Sequence, residues 1–409
     1  MTRRQFAHTG TGAVALSALQ PGSLDAAPAP KRVAGIVTEY RWYSHADVVL
    51  GRILGGNSMN GVHHAPRTQL VSVWTHQVPQ GRDMSRDLSS RHGFRIANSI
   101  EEAMTLGTGK LAVDGVIFIG EHGDYPDNEL GQKMYPRFEL FSEVLGVFEK
   151  TGKVVPTFFD KHLSYSWDKA KAMYDRAKKL NLQWMAGSSI PVTPRTPHIE
   201  IPLDAPLEAA AAFGYGPQDA YGFHLLESLQ CMVERRKGGE TGITSVEWME
   251  GDAIWQWLKG EGTWARPLLD EAAKRNPYRK PVPLEEEARR PVLLSLQYKD
   301  GFKAAAMIIG PSGADWSFAC KTRGKATLDS TLFGPGTRSR TLPHFDGLVY
   351  CIEEMIVTGK PLYPVERTLL TTGALALAFE SKRRKARVET PGLASIAYRV
   401  PKNVFVQTA

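Results

Sequence analysis

The stretch Arg32-Val33-Ala34-Gly35-Ile36-Val37-Thr38-Glu39-Tyr40-Arg41-Trp42-Tyr43-Ser44 sets the fold. Its first seven residues form a short apolar run that suits a strand buried on both faces. Ser44-x-x-Asp47 then reads as a capping box, followed by an amphipathic helix over 46–54. Outward from this unit the pattern repeats. Strands are expected at 69–74, 114–120, 153–159 and 183–186. Helices are expected at 81–92, 99–104, 138–151 and 167–180, with Gly93 closing the first of them. Strands that alternate with helices imply a parallel, doubly wound sheet.

After Pro191 the texture changes. Pro191, Pro194 and Pro197 mark a boundary. Extended segments at 291–298, 303–309 and 316–321, separated by Gly and Asp turns, read as an antiparallel sheet. Helices at 221–234 and 345–358 are expected to pack on it, and a last helix spans 369–381. The fold class is therefore α/β: a Rossmann-like doubly wound parallel sheet plus a C-terminal α+β domain with an open, mainly antiparallel sheet. The divisions are 1–29, 30–190, 191–365 and a closing helix and tail over 366–409.

The 409 residues are 42% hydrophobic and 23% charged, ordinary for a globular chain, with a net charge of +7. The basic residues are scattered and lack interleaved aromatics, which argues against nucleic acid as a partner. Cys231, Cys320 and Cys351 have no C-x-x-C spacing and read as buried apolar residues. Arg3-Arg4, the apolar run 13–19 and the small residues near Ala27 and Ala29 have the order of a twin-arginine export signal, which implies periplasmic or otherwise exported protein. No stretch is long enough to span a membrane.

Several anchors in order resemble the Gfo/Idh/MocA oxidoreductase family. They are Arg91-His92-Gly93-Phe94 with Ser99-Ile100-Glu101-Glu102, Asp114-Gly115-Val116-Ile117, Gly152-Lys153-Val154-Val155 with Asp160-Lys161-His162-Leu163, Tyr221-Gly222-Phe223-His224, and Thr358-Gly359-Lys360-Pro361. The resemblance implies a catalytic lysine at Lys161 and a catalytic histidine at His224. The family's acidic position four before that histidine is Ala220 here, with Asp219 one residue off and Tyr221 a substitute. The resemblance also implies a homo-oligomer formed through the C-terminal sheet.

One departure bears on the cofactor. The first strand leads into Tyr40, Trp42 and Tyr43 in place of G-x-G-x-x-G, and the second ends in Thr75-His76-Gln77 without an acidic residue for a ribose. NAD(P) is therefore disfavoured. Three polar clusters fall at carboxyl ends of parallel strands, where open α/β sheets bind ligands. Glu121, His122 and His162 are candidate ligands for a divalent metal. His45, Asp124, Tyr125, Asp160 and Arg195 are candidate substrate-binding residues, and Lys161, His224 and Tyr221 candidate catalytic ones. The expected function is acid/base chemistry on a small carbohydrate derivative, by hydrolysis, elimination or isomerisation. The alternatives are an NAD(P)-dependent sugar oxidoreductase with an atypical loop and a non-catalytic carbohydrate-binding protein.

Overall fold

A computed structural model describes residues 29–59, 61–277, 279–310, 315–334, 342–403 and 405–407. The export signal read over 1–29 lies, but for Ala29, outside them. Among the described residues no helix is long and apolar enough to cross a membrane.

The first half alternates as its periodicity predicts. β1 (Lys31–Glu39) leads to α1 (His45–Gly55), a hairpin of β2 (Asn57–Met59) and β3 (Val62–His64), then β4 (Thr68–Gln77), α2 (Ser85–His92), β5 (Arg95–Ile96) and α3 (Ile100–Thr105). β6 (Gly115–Ile119), α4 (Arg137–Thr151), β7 (Thr157–Asp160), α5 (Trp167–Lys179) and β8 (Trp184–Gly187) follow. The strand order is β5-β4-β1-β6-β7-β8, all parallel. The chain winds one way from β1 and then starts again at β6, so the crevice of a switch point opens between their carboxyl ends. Ser44 caps α1 by accepting from the Asp47 N–H, as the capping box requires.

The second half contributes β9 (Arg195–Thr196), β10 (Leu207–Gly214), α6 (Ala220–Val233), β11 (Ile243–Glu250), α7 (Asp252–Lys259), α8 (Arg266–Lys274) and α9 (Leu284–Glu287). It continues with β12 (Val292–Tyr298), β13 (Lys303–Ile308), β14 (Trp316–Thr322), β15 (Asp329–Phe333), α10 (His344–Thr358), α11 (Glu366–Arg384) and β16 (Val388–Glu389). Its sheet runs β16-β11-β12-β13-β10-β14-β15-β9, antiparallel except between β10 and β13. The centre of this sheet holds Ala209-Ala210-Ala211-Ala212. Alanine favours helix intrinsically. Here Ala210 and Ala212 face α6 while Ala209 and Ala211 face α7 and α8, and small side chains let both helix layers approach.

Two helix placements differ from the sequence reading. α10 packs on the first sheet beside α1, and not on the second. Phe345, Leu348, Val349, Ile352, Met355 and Ile356 cover Val33, Val37, Ile117 and Ile119. The face of the parallel sheet above β6 has no local crossover helix, so the chain returns to cover it. The second is the helical cover on the other face of the C-terminal sheet, which the sequence reading did not place. Leu268, Leu269, Ala272 and Ala273 of α8, with Ile254 and Leu258 of α7, bury it inside the same chain. All three cysteines are free and buried.

α11 ties the halves together. Thr368 donates to the Ala186 carbonyl at the end of β8, and Thr372 accepts from the Leu163 N–H. Arg367 pairs with Glu234 at the end of α6, both fully buried.

The docking of α10 is testable. A side chain at Gly115 would meet Ile356 at 2.9 Å. Gly115→Ala should cost about 1–3 kcal/mol by overpacking. Adding Ile356→Ala should give less further loss than the sum of the single changes. Strict additivity in urea denaturation would show that the two residues do not meet.

Candidate active site

The carboxyl ends of β1, β6 and β7 converge on one cavity of about 250 Å³. From the first half it is lined by Tyr43, His45, Glu121, His122 and Lys161, among others. From the second half come Tyr221, His224 and Trp316, and from the start of α10 His344 and Phe345. Pockets for drug-sized ligands run roughly 300–1,000 Å³. This one is the size for a single sugar ring, not for a dinucleotide.

Each functional side chain is held by the element before it. The Thr38 hydroxyl of β1 donates to the Glu121 carbonyl (2.7 Å), crossing the switch point. Lys161 leaves β7 with φ of 71°, and His122 follows β6 with φ of 70°. Left-handed backbone at a non-glycine residue costs on the order of 1–3 kcal/mol and concentrates at functional sites. The Lys161 N–H donates to the Gly187 carbonyl (3.0 Å), which fixes the strained residue to the neighbouring strand.

At the base of the cavity Lys161 Nζ lies 2.6 Å from His224 Nε2. Both residues are buried, and they come from different domains. Burial first, and the Lys161 charge second, push the His224 imidazole well below its usual range. It is therefore neutral, Nε2 accepts from the ammonium, and the proton sits on Nδ1, which has no hydrogen-bond partner. Glu121 lies 3.7 Å from Lys161 Nζ and also accepts from Arg137 Nη2. Burial alone would raise the Glu121 carboxyl; Lys161 and then Arg137 outweigh it and hold the group well below the usual carboxylate range.

Opposite this pair stands a second one. His45 Nδ1 lies 2.7 Å from Asp160 Oδ2, and Asp160 is fully buried. A carboxylate behind Nδ1 fixes that nitrogen as the donor and leaves Nε2 as the basic atom. The rings of His45 and His122 meet edge to face at 5.4 Å. Burial lowers His122 to about 4.

Of the catalytic candidates, Lys161, His224 and Tyr221 all line the cavity. The aromatic wall is Tyr221 against His224 (5.9 Å) and Trp316 (5.7 Å). Of the substrate-binding candidates, His45 lines it and Asp160 stands behind His45. The other three do not reach it. Asp124 is exposed, with its N–H and carbonyl bonded to the Gln77 side chain. The Tyr125 hydroxyl is bonded to His76 Nδ1 (2.8 Å). Arg195 is buried in the second half, paired with Glu200 and bonded to the Pro191 and Ile199 carbonyls. Asp219 lies beside the site, accepting from the Lys133 N–H, and burial raises it to about 6.

The metal set does not assemble. Among the described residues no three His, Cys, Asp or Glu side chains group to hold a metal ion. Glu121 is taken up by Arg137 and Lys161. His162 is buried behind the cavity with its Nε2 accepting from Arg137 Nη1 (2.9 Å). Arg137 is the residue that sequence reasoning missed. It is buried, its Nε donates to the Gly120 carbonyl, and it clamps Glu121 to His162. Nothing in its local sequence sets it apart from any arginine at a helix start.

The nicotinamide dinucleotide that the resemblance implies needs free N–H donors at the start of α1. Ser44 Oγ already accepts from the Asp47 N–H, and the Asp47 carboxylate accepts from the Tyr43 N–H (2.8 Å). A negative side chain thus occupies the turn where a pyrophosphate would lie. Tyr40 is wholly buried in the core beneath it. Gln77, where a ribose-binding acid would stand, is bonded to Asp124. These residues do not fit the group.

The buried imidazoles set a pH dependence. An unfolded histidine binds its proton near pH 6.5, whereas folded His122 does so only near 4. In that window the unfolded state holds more protons, so stability falls as pH drops from about 6.5 to 4. His162 and His224, also lowered by burial, steepen the loss. Urea midpoints at a series of pH values should fall across the window, and His122→Asn should flatten part of the slope. A flat profile would mean that the imidazoles are not held neutral.

No known protein family matches the chain, and no curated relative does either. Solved structures do. GenD2 from gentamicin A biosynthesis, in complex with NAD, superposes with a TM-score of 0.56 at 13% identity, covering 88% of this chain and 96% of that one. A myo-inositol dehydrogenase from Corynebacterium glutamicum gives 0.55 at 12% identity, with 88% and 98% covered. A super-repressor mutant of Gal80p from Saccharomyces cerevisiae gives 0.54 at 8% identity, with 90% and 100% covered. At such identities the likeness is one of fold, and this chain has the two-domain Rossmann and α+β architecture of these proteins.

Proposed function

We propose that this protein acts on a carbohydrate derivative by acid/base chemistry, without a nicotinamide dinucleotide at the β1–α1 turn. The observation that carries the reading is the buried contact of Lys161 Nζ with His224 Nε2 at 2.6 Å, facing the Asp160–His45 pair in one sugar-sized cavity. Groups that exchange protons must reach the same reacting atoms through hydrogen bonds of about 3 Å. The sugar itself rests on the resemblance to Gfo/Idh/MocA proteins and on the myo-inositol dehydrogenase among the fold neighbours.

The arrangement suits proton abstraction next to a carbonyl. His45 Nε2 takes the proton from the carbon, while Asp160 steadies the imidazolium that forms. Lys161 has three N–H donors; His224 takes one, Glu121 attracts another, and the third is left for the carbonyl oxygen as negative charge builds there. Passage of the adjacent hydroxyl proton to the former carbonyl oxygen, with return to the former carbonyl carbon of the His45 proton, which exchanges with solvent, isomerises the sugar. Departure of a group from the β carbon, with its own electron pair, eliminates it. His224 positions Lys161 by accepting one of its N–H donors. The rival reading, oxidation by NAD(P), is favoured by the NAD complex of GenD2 and opposed by the filled turn. Delivery by the twin-arginine route through Arg3-Arg4 belongs to the same proposal. Its test is Arg3→Lys with Arg4→Lys, which should strand the precursor in the cytoplasm; unchanged delivery would contradict it.

Turnover of a panel of ketohexoses, hexuronates and their derivatives should proceed with no added nicotinamide. Lys161→Met and His45→Asn should each lower kcat by about 10²–10⁴-fold. His224→Asn should shift the pH profile as well as lower the rate. Calorimetry should give no NAD(H) or NADP(H) binding at roughly millimolar concentration. Micromolar affinity, or turnover that requires either nucleotide, would overturn the reading.

A further inference from the structure

The largest exposed apolar side chain among the described residues is Trp42, which is 70% exposed. It stands at the rim of the cavity. Its ring lies 5.1 Å from that of Tyr43, at an interplanar angle of 31°, and Tyr43 lines the cavity. An indole left in water forgoes roughly 1.5–3 kcal/mol of burial. Beside Tyr43 of the cavity wall, it extends an aromatic platform outward from the pocket.

The turn that presents Trp42 is rigid. Ser44 N–H and Oγ–H both donate to the Arg41 carbonyl (3.1 and 2.7 Å). Arg41 Nη1 donates to the Trp42 carbonyl (3.1 Å), and Asp47 accepts from the Tyr43 N–H. The Met84 N–H donates to the Tyr40 carbonyl (2.8 Å), fixing the turn to the start of α2. Tyr43 sits at φ of 61°, left-handed backbone held by these bonds. A loop cross-linked in this way keeps two rings side by side without packing the outer one. Aromatic faces that are apolar over the ring and polar at the edge suit pyranose rings, whose C–H faces are apolar and whose hydroxyls point outward.

We propose that Trp42 and Tyr43 form a second sugar subsite, so that the ligand is a glycoside or short oligosaccharide with one ring in the cavity and the next stacked on this pair. The inference rests on the sugar reading of the cavity. The cavity holds one ring and the pair continues its wall outward, so the occupant is covalently joined to the sugar inside. The turn that a dinucleotide would use in this fold is here the floor of a sugar platform.

The test is titration of the full chain with D-glucose, cellobiose and maltose, and with D-galactose and lactose, by calorimetry and tryptophan emission. A disaccharide should bind the unaltered protein at least about 10-fold tighter than its monosaccharide, a difference of roughly 1.4 kcal/mol. It should also shift the Trp42 emission to the blue. Trp42→Ala should abolish that gain and the shift, with an unchanged melting temperature, and Trp42→Phe should restore most of the gain. Equal affinity for mono- and disaccharides, or a disaccharide gain that survives Trp42→Ala, would overturn the subsite while leaving the cavity reading intact. Failure to bind any of the five sugars would likewise overturn the subsite, while the cavity reading is decided separately by the ketohexose and hexuronate panel.

Discussion

The site depends on one buried cluster of charge. Glu121 at the end of β6 is the shared buried partner of two cations, Arg137 at the start of α4 and Lys161 at the end of β7. Burying charges is costly unless each has a partner in good geometry. That requirement fixes the carboxyl edge of the first sheet around Glu121, because its removal leaves two buried cations without a counter-charge. It also explains why two residues with left-handed backbone persist side by side at this edge. The second domain meets the edge through His224, whose neutral ring accepts the lysine proton donor that Glu121 does not take up. The domain interface and the candidate chemistry are thus the same contact.

The alternation of strands and helices in the first half was legible in the sequence because buried parallel strands are short, continuous apolar runs. Ser44, Ser99 and Gly93 marked helix ends for stereochemical reasons that hold in isolation. The strand ends brought Lys161, His45 and Glu121 to one edge before any coordinates, and the family resemblance set His224 across from it. What stayed hidden was set by tertiary contact. Ala209–Ala212 carry a helix-forming composition but lie between two helix layers as a strand. α10 is amphipathic and gives no sign of which sheet it covers. α7 and α8 carry clear apolar stripes, yet nothing in their own sequence names the sheet face that they seal. Arg137 could not be singled out, because its importance comes from Gly120, Glu121 and His162 meeting it in space. Asp124, Tyr125 and Arg195 have the right chemistry for a site and instead satisfy local partners.

The fold neighbours include a myo-inositol dehydrogenase and a super-repressor mutant of Gal80p, so the architecture alone does not assign a reaction. The residues at the β1–α1 turn carry more weight. Three changes there act together: Tyr40 fills the core, Asp47 places a carboxylate at the helix start, and Trp42 with Tyr43 turns the surface aromatic. Each one alone would hinder a pyrophosphate. Together they make this turn aromatic and carboxylate-bearing, above a cavity lined by His45, Lys161 and His224.

The central claim is that the cavity moves protons on a sugar and transfers no hydride. It is tested most directly by incubating the protein with ketohexoses and hexuronates in deuterated water, with no nucleotide, and following the C–H signals beside the carbonyl by proton NMR. The account predicts enzyme-dependent loss of those signals as deuterium washes in, abolished by His45→Asn. Signals that persist in the deuterated solvent, together with nucleotide-dependent reduction of the same sugars, would contradict it.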